Sequence, residues 1–97
     1  MAQIAYSQNA IANLARAFEF LLEHDPQAAI ASAAVIREAV ELLANHPLIG
    51  RRVEGELREL VISFGKTGYV ALYRFLPARE LIRILAIRHQ RELDYPA

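Results

Sequence analysis

The residues best suited to chemistry lie in the second half of the sequence. Arg74 falls inside an apolar segment, His89 directly follows Arg88, and Tyr95 lies close to the last residue. Cleavage of RNA without a metal requires a base for the 2′-hydroxyl, a cation for the charged phosphorane and an acid for the leaving oxygen. Glu54 or His89 could supply the base, Arg74 the cation, and His89 or Tyr95 the acid. These residues permit nuclease chemistry, but any basic domain of this size contains a similar set.

Arg74 is the most informative of these residues because a guanidinium inside an apolar strand is costly unless it is paired or serves an anion. Two alternatives follow from the sequence. Arg74 either pairs with a carboxylate such as Glu54 or Glu59, or it opens onto a site for a phosphate.

The motifs of other common active sites are missing from the sequence. The chain has no cysteine, and it contains neither an HExxH motif nor a glycine-rich phosphate loop. Ser63, His89 and Asp94 could form a triad on paper, but no strand–turn–helix elbow would present the serine. We therefore predict no metal and no cofactor.

Length and composition predict one domain, over residues 1–97, with more apolar surface than a small core can hide. The chain has 97 residues, of which 55% are hydrophobic. Its first residues do not form a secretory signal, and the longest apolar stretch, around residues 28–36, is too short to cross a bilayer. We therefore predict a cytoplasmic protein that does not contact the membrane and whose surplus apolar surface is covered by a partner.

Charge is unevenly distributed although the formal net charge is +0. Residues 1–50 carry a net charge of −3 and residues 51–97 carry +3. This asymmetry predicts contact with an acidic partner or a polyanion in the second half, although solvated arginines on strands would produce the same bias. The arginines predicted to bind a partner are Arg51, Arg52, Arg58, Arg88 and Arg91.

Two helices are predicted in the first half. Ser7 is a suitable N-cap, and the apolar residues that follow it recur at helical spacing. Asp25-Pro26 ends this helix and begins a second, which stops near Asn45-His46-Pro47. The junction is so short that the helices should form an antiparallel hairpin.

Three strands are predicted in the second half, at residues 57–64, 69–76 and 81–89, and Gln3 to Tyr6 could form another short strand. The turns between the three strands are too short for parallel crossovers, so these strands should be antiparallel neighbours. The predicted fold class is α+β, with an N-terminal helical hairpin packed on a small antiparallel sheet.

Both faces of this sheet are predicted to be apolar. Strict alternation places Tyr69, Ala71, Tyr73 and Phe75 opposite Val70, Leu72 and Leu76, and it places Ile82, Ile84 and Ala86 opposite Leu81, Leu85 and Ile87. One hairpin covers only one face. The second face should therefore be covered by a partner or by self-association, unless arginine stems and the C-terminal tail fold over it.

Four blocks of the sequence resemble the ParE/RelE superfamily of toxins from bacterial type II toxin–antitoxin systems. The blocks are His46-Pro47-Leu48-Ile49-Gly50-Arg51-Arg52-Val53, Leu57-Arg58-Glu59-Leu60, Gly68-Tyr69-Val70-Ala71-Leu72-Tyr73-Arg74-Phe75 and Ile84-Leu85-Ala86-Ile87-Arg88-His89-Gln90-Arg91-Glu92. They occur in the family's order and spacing. The resemblance implies a RelE-like fold and a cognate antitoxin, encoded beside the toxin, with which a heterotetramer is expected.

Two mechanisms diverge within that superfamily. RelE-like members cut mRNA on the ribosome with basic residues, a strand arginine and a C-terminal Tyr or His. In this sequence Arg74 resembles the strand arginine, and His89 and Tyr95 lie near the positions of the C-terminal catalytic residues. ParE-like members inhibit DNA gyrase and lack most of that set. The strand that begins at Leu57 lacks the lysine cluster of RelE. The amino-acid sequences of the four blocks are also closer to those of ParE. The resemblance therefore favours a gyrase inhibitor over a ribosome-dependent endoribonuclease.

Overall fold

Within residues 1–92, 94 and 95, which the computed structural model describes, the chain forms two α-helices and five β-strands. In chain order the elements are β1 (Gln3–Tyr6), α1 (Gln8–His24), α2 (Pro26–Glu41), β2 (Arg51–Glu54), β3 (Leu57–Phe64), β4 (Thr67–Leu76) and β5 (Leu81–His89), with single 3-10 turns at Leu42–Ala44 and Pro77–Arg79. The predicted helices and the three predicted strands are confirmed, and β1 forms at the fourth predicted position.

Side-chain caps fix where both helices begin. The hydroxyl of Ser7 accepts a hydrogen bond from the backbone N–H of Ala10 at 3.0 Å, and Asp25 accepts one from Ala28 at 3.2 Å. The backbone N–H of Asp25 also donates to the carbonyl of Leu21 at 2.6 Å, so one residue ends α1 and caps α2. Pro26 follows at the first helical position, where its missing N–H costs no hydrogen bond.

The five strands form one mixed sheet in the order β1-β5-β4-β3-β2. Strands β2 to β5 are antiparallel neighbours, as the short turns predict. Strand β1 adds a parallel edge beside β5, with Gln3 opposite Leu81 and Tyr6 opposite Ile84. The sequence does not predict β2, because all four of its residues are exposed and they show no apolar alternation.

The helical hairpin packs on one face of the sheet. Ile36 and Val40 of α2 join Tyr69, Tyr73 and other sheet residues in one buried cluster. We call the opposite side, which no helix covers, the open face. The registers of the strands place on it, among others, Arg51, Glu59, Val61, Val70, Leu72, Arg74, Arg83, Ala86 and Arg88.

Strict alternation along β5 is wrong, because the register with β4 shifts between Leu72 and Tyr73. Leu72 lies opposite Ala86 and Tyr73 lies opposite Ile84, so Leu85 is the extra residue of a β-bulge. The bulge places Ile87 in the core with Ile82 and Ile84 and puts Ala86 on the open face, whereas strict alternation groups Ala86 with Ile82 and Ile84.

Polar side chains at the start of α1 stabilise this bulge. The carbonyl of Leu85 accepts hydrogen bonds from the Ser7 hydroxyl at 3.0 Å and from the Asn9 amide at 3.1 Å. The buried Asn13 side chain accepts a hydrogen bond from the backbone N–H of Ile87 at 2.9 Å. These bonds satisfy backbone groups of the bulge that would otherwise lose their partners.

Substituting Asn13→Ala should destabilise the protein by about 1–3 kcal/mol, because the buried N–H of Ile87 would lose its acceptor. Urea denaturation at neutral pH measures the loss. The control is Asn45→Ala, at an exposed position, which should change stability by less than about 0.5 kcal/mol. Equal stability of the two variants would contradict this role for Asn13.

The segment between α2 and β2 is held by Tyr73, which is fully buried. Its hydroxyl accepts a hydrogen bond from the Gly50 N–H at 2.9 Å and donates one to the carbonyl of Pro47 at 2.9 Å. A Cβ atom on Gly50 would lie 2.6 Å from the Tyr73 ring. Arg58 adds hydrogen bonds to the carbonyls of Leu48 at 3.1 Å and Gly50 at 2.7 Å. The position of β2 at the sheet edge therefore depends on contacts with β3 and β4.

Candidate functional site

A buried carboxylate organises the centre of the open face. Glu59 on β3 is only 8% exposed. One of its oxygens accepts a hydrogen bond from Arg51 at 2.9 Å, and the other accepts one from the Tyr95 hydroxyl at 2.6 Å. The Arg88 guanidinium lies 3.9 Å from Glu59 and 5.2 Å from the centre of the Tyr95 ring. Glu59 thus connects strands β2, β3 and β5 with Tyr95.

The electrostatics of this cluster favour an ionised Glu59 and a protonated Tyr95. Burial raises the pKa of Glu59, but the hydrogen bonds from Tyr95 and Arg51 and the charges of Arg51 and Arg88 outweigh burial, so the pKa of Glu59 is lowered. Burial and the neighbouring Glu59 carboxylate raise the pKa of Tyr95. The Tyr95 hydroxyl is thus held as a hydrogen-bond donor to Glu59.

Tyr95 lies over part of the open face. Val70 and Ala86 are each 4% exposed although no helix packs on their side of the sheet. Tyr95 reaches from Arg88, which lies opposite Val70 on β4, to Glu59 on β3, so it crosses β4. Of the two alternatives from the sequence, coverage by an arginine and the C-terminal tail is therefore present in part, through Arg88 and Tyr95. Val61 remains 54% exposed on the same face.

Arg74 pairs with neither of the carboxylates that the sequence offered. Glu59 is engaged by Arg51, Tyr95 and Arg88 instead. Arg74 is exposed and lies opposite Arg83, which is also exposed. Among the described residues, neither side chain has a hydrogen-bond or ion-pair partner. Two like charges directly opposite each other destabilise a sheet, so the open face carries a cationic pair that an external anion would stabilise. The sequence pattern does not single out Arg83, whose position beside Arg74 depends on the strand register.

His89 lies on the helix side of the sheet, away from Arg74. Its Nδ1 accepts a hydrogen bond from the backbone N–H of Arg91 at 3.1 Å. An accepting ring nitrogen carries no proton, so Nε2 carries it and donates to the hydroxyl of Thr67 at 2.6 Å. The ring also packs edge-on against Tyr69, with 5.5 Å between the ring centres. Both nitrogens of His89 are thus engaged within the protein.

The three residues with nuclease potential therefore do not meet at one place. Arg74 and Tyr95 share the open face, whereas His89 lies opposite Tyr69 on the other face. Tyr69 and Arg74 are five positions apart on β4, which corresponds to roughly 16 Å along the strand. Their proposed catalytic roles stay predictions.

The predicted partner-binding arginines fall into different environments. Arg51 and Arg88 belong to the Glu59 cluster. Arg52 donates to the carbonyl of Gly55, and Arg58 holds the segment before β2. The Arg91 side chain is exposed. Partner binding by these residues stays a prediction, and the intramolecular bonds of Arg58 give it a structural role as well.

In the part of the chain that the structure describes, no group of three His, Asp or Glu side chains is arranged to hold a metal ion. Neither of the described helices is long and apolar enough to cross a bilayer.

Stability should fall in acid through Glu59. A lowered pKa in the folded state means that the stabilisation is complete above the unfolded-state pKa of about 4.3 and is lost as the pH falls through the folded-state pKa. Substituting Glu59→Gln should therefore lower the free energy of unfolding by roughly 1–2 kcal/mol at pH 7 and by progressively less below about pH 4. The expected loss is reduced because solvent screens the exposed partner Arg51.

Urea denaturation at several pH values measures this dependence. Glu56→Gln is the matched control, because Glu56 is exposed and lies on the same hairpin outside the cluster. A cost of Glu59→Gln that stays constant from pH 7 to pH 3 would contradict the assignment.

Comparison with known proteins gives consistent matches over nearly the whole chain. A family model described as "ParE toxin of type II toxin-antitoxin system, parDE" matches residues 4–94. "Toxin RelE3" of Caulobacter vibrioides is 36% identical over 92 residues, which are 95% of this chain and 98% of that protein. "Toxin RelE2" of the same organism is 33% identical over 93 residues, covering 96% of this chain and 100% of that protein.

A solved structure described as "Chromosomal ParDE TA system from P. aeruginosa" has the same fold. The superposition has a TM-score of 0.75 and covers 92% of this chain and 96% of that chain. The sequence identity is 22%, so this match concerns the fold alone. The α+β prediction of two helices followed by a sheet is thereby confirmed.

Proposed function

This chain belongs to the ParE family of toxins from type II toxin–antitoxin systems, and we propose that it acts by binding and inhibiting DNA gyrase. The family model matches residues 4–94, and the resemblance in the four sequence blocks is thereby confirmed. A toxin of this type has a cognate antitoxin as its partner. The proposed target is DNA gyrase, and in the proposed mechanism the toxin acts by binding and not by catalysis.

The observation that carries this proposal is the separation of the candidate nuclease groups. General acid–base catalysis requires the base and the acid to reach the same substrate within hydrogen-bond distance. Here both His89 nitrogens are engaged on the helix side of the sheet, while Arg74 is on the open face. The Tyr95 hydroxyl donates its proton to a hydrogen bond with Glu59, and burial together with this contact raises the pKa of Tyr95. Such an arrangement supports binding better than proton transfer.

The open face offers the means of binding. Arg74 and Arg83 present two exposed guanidinium groups without counter-charges among the described residues, and Val61 adds exposed apolar surface. Arginine and apolar groups together are typical of protein interfaces. The paired strands fix the backbone of these residues, so binding would order the arginine side chains without reordering the main chain. In the proposed assembly, two toxins and two antitoxins form a heterotetramer, and the antitoxin prevents the toxin from engaging gyrase.

The alternative function is cleavage of mRNA on the ribosome. It is favoured by the names of the similar proteins, "Toxin RelE3" and "Toxin RelE2", and by the residue types of Arg74, His89 and Tyr95. In that case the acid and the base would have to come together on binding to the ribosome. The two functions make opposite predictions for the same purified protein.

A gyrase assay and a ribosome assay, run side by side, test the proposal. Purified toxin should block supercoiling by gyrase or trap cleaved DNA, and it should leave mRNA on programmed ribosomes intact. The His89→Ala variant should still inhibit gyrase. If the toxin were a nuclease, the same substitution should abolish cleavage of mRNA. Gyrase that is unaffected by excess toxin would refute the proposal, and mRNA cleavage abolished by His89→Ala would establish the alternative.

A further inference from the structure

The two edge strands of the sheet differ in how they are protected against pairing with another strand. Strand β2 carries the charged residues Arg51, Arg52 and Glu54, and its register shifts between Arg52 and Glu54. Strand β1, at the other edge, has no charged residue, and its register with β5 is unbroken. Charges and bulges are the common devices that keep sheet edges from pairing. We call the outer side of β1 the β1 edge, and it has neither device.

The backbone of β1 presents hydrogen-bonding groups at this edge. The N–H groups of Gln3 and Ser7 donate to backbone carbonyls on the β5 side, at 2.8 Å and 2.9 Å. Successive residues of a strand point their backbone groups to opposite sides. The N–H and C=O groups of Ile4 and Tyr6 therefore point away from β5, where no described strand pairs with them.

An antiparallel copy of β1 would satisfy all of these groups. Residues directly opposite each other in such a pair point to the same face, so Ile4, which packs on the core, must lie opposite another core-side residue. A two-fold axis at Ala5 places Ile4 of one copy opposite Tyr6 of the other, and both such pairs then exchange backbone hydrogen bonds. An axis at Ile4 would instead require the N–H of Ala2, which already donates to the carbonyl of Ala44.

The side chains beside the β1 edge also suit a second copy. Ile4 and Tyr6 are half-buried, and Ile11, which is 55% exposed, lies with Tyr6 along an apolar groove between α1 and α2. Pairs of an aromatic and a β-branched residue across neighbouring strands stabilise a sheet. On the open face Ala5 is exposed and small, so two copies can approach there without a steric obstacle.

The charges near the β1 edge are complementary to themselves. Burial raises the pKa of the Tyr6 hydroxyl, the nearby Glu41 raises it further and the nearby Arg37 lowers it. Both charged side chains are exposed on α2, and neither has a hydrogen bond or an ion pair in the described part of the chain. A two-fold axis brings one cation and one anion from each copy to the same boundary. A strongly acidic or strongly basic partner would meet one repulsive group there.

Repulsion between the open faces of two copies should be small. Arg83 lies opposite Ala5, so the Arg83 residues of two copies would be three strand spacings apart, about 14 Å. This distance exceeds the Debye length of about 8 Å at physiological ionic strength. The cations of the open face therefore do not oppose pairing at the β1 edge.

We propose that two copies of the toxin, when free of antitoxin, associate through their β1 strands, antiparallel about a two-fold axis at Ala5, into one continuous sheet. The helical hairpins of both copies then lie on one side of that sheet, and the two open faces lie on the other. A short interface with few hydrogen bonds predicts weak association that depends on concentration. The contact involves neither gyrase nor the ribosome, so the proposal holds whichever target the toxin has.

Sedimentation equilibrium of the full-length toxin over a range of concentrations tests this proposal. The wild-type protein should form dimers reversibly. Ala5→Glu should raise the Kd of the dimer at least about tenfold, because the two introduced carboxylates would lie directly opposite each other at the axis. The variant should fold, because Ala5 is exposed and lies opposite Arg83, which can pair with the carboxylate. Thermal unfolding verifies this.

Matched variants separate position from charge. Ala5→Gln adds a side chain of the same length without charge, and Ala31→Glu adds the same charge at an exposed position of α2, so both should keep the Kd within about threefold. A mixture of Ala5→Glu with Ala5→Lys should associate at least as tightly as the wild type, although each variant alone should be monomeric. Such rescue requires that Ala5 of one copy faces Ala5 of the other.

Several results would overturn the proposal. They are a wild-type toxin that stays monomeric up to its solubility limit, dimers that persist unchanged in Ala5→Glu, and a charge-complementary mixture that fails to associate. If Ala5→Glu weakened antitoxin binding or gyrase inhibition while the wild-type toxin alone stayed monomeric, the β1 edge would belong to that partner, and the proposal would be wrong.

Discussion

Replacing Tyr73 with alanine should destabilise the protein by about 3–5 kcal/mol, the largest effect on folding expected from any single change described above. Tyr73 is fully buried at the centre of the sheet, and its hydroxyl bonds to Gly50 and Pro47. The variant loses the apolar contacts of the ring and leaves a cavity, and two backbone groups lose their partner. Small domains have a total stability of about 5–15 kcal/mol, so a large fraction is at risk. Urea denaturation measures the loss.

Two further variants separate the contributions of the ring and the hydroxyl. Tyr73→Phe retains the ring and should cost about 1–3 kcal/mol, because the Gly50 N–H and the Pro47 carbonyl lose their partner. Gly50→Ala should also destabilise, because its Cβ would lie 2.6 Å from the Tyr73 ring and 2.7 Å from the carbonyl oxygen of Glu59. If Tyr73→Phe were as harmful as Tyr73→Ala, the hydroxyl rather than the volume of the ring would dominate.

The sequence predicts most of the fold because local signals specify most of it. Ser7 and Asp25 cap the helices where their residue types suggest, and the tight turns make β3, β4 and β5 antiparallel neighbours. The bulge at Leu85 lies beyond such signals. It is supported by Ser7 and Asn9, which are 78 and 76 positions away in the chain. A contact over that distance has no local pattern.

This one bulge also explains why the candidate site differs from the predicted one. Arg83 lies opposite Arg74 on the open face. Continued alternation from Arg83 would have placed His89 on that face as well, beside the other residues with nuclease potential. The extra residue at Leu85 reverses the later part of β5. Arg88 therefore faces Glu59 and Tyr95, while His89 faces α1. The sequence supplies the residue types, but the register decides which of them can act together.

Neutralising both arginines of the open face, Arg74→Gln with Arg83→Gln, should reduce gyrase inhibition at least about a hundredfold without weakening the fold. Hydrogen bonds to charged groups contribute about 1.5–3 kcal/mol each, and two such interactions account for a loss of this size. Folding should be unaffected or slightly stabilised, because two like charges directly opposite each other are removed and no partner among the described residues is lost. A supercoiling assay gives the activity, and urea denaturation gives the stability.

The combination of lost activity with retained stability distinguishes a binding surface from a structural element. The control is Arg37→Gln with Lys66→Gln, which removes the same charge from exposed positions on α2 and in the turn between β3 and β4, and which should keep inhibition within about threefold. An equal loss in the control would mean that net charge and not position matters, through a general attraction that salt would weaken. Full inhibition by the Arg74/Arg83 variant would remove the open face from the proposed contact with gyrase. Arg74 and His89 lie on opposite faces of the sheet. A gyrase inhibitor should therefore tolerate His89→Ala but lose activity when Arg74 and Arg83 are changed. A nuclease that uses both Arg74 and His89 would lose activity on changes to either face.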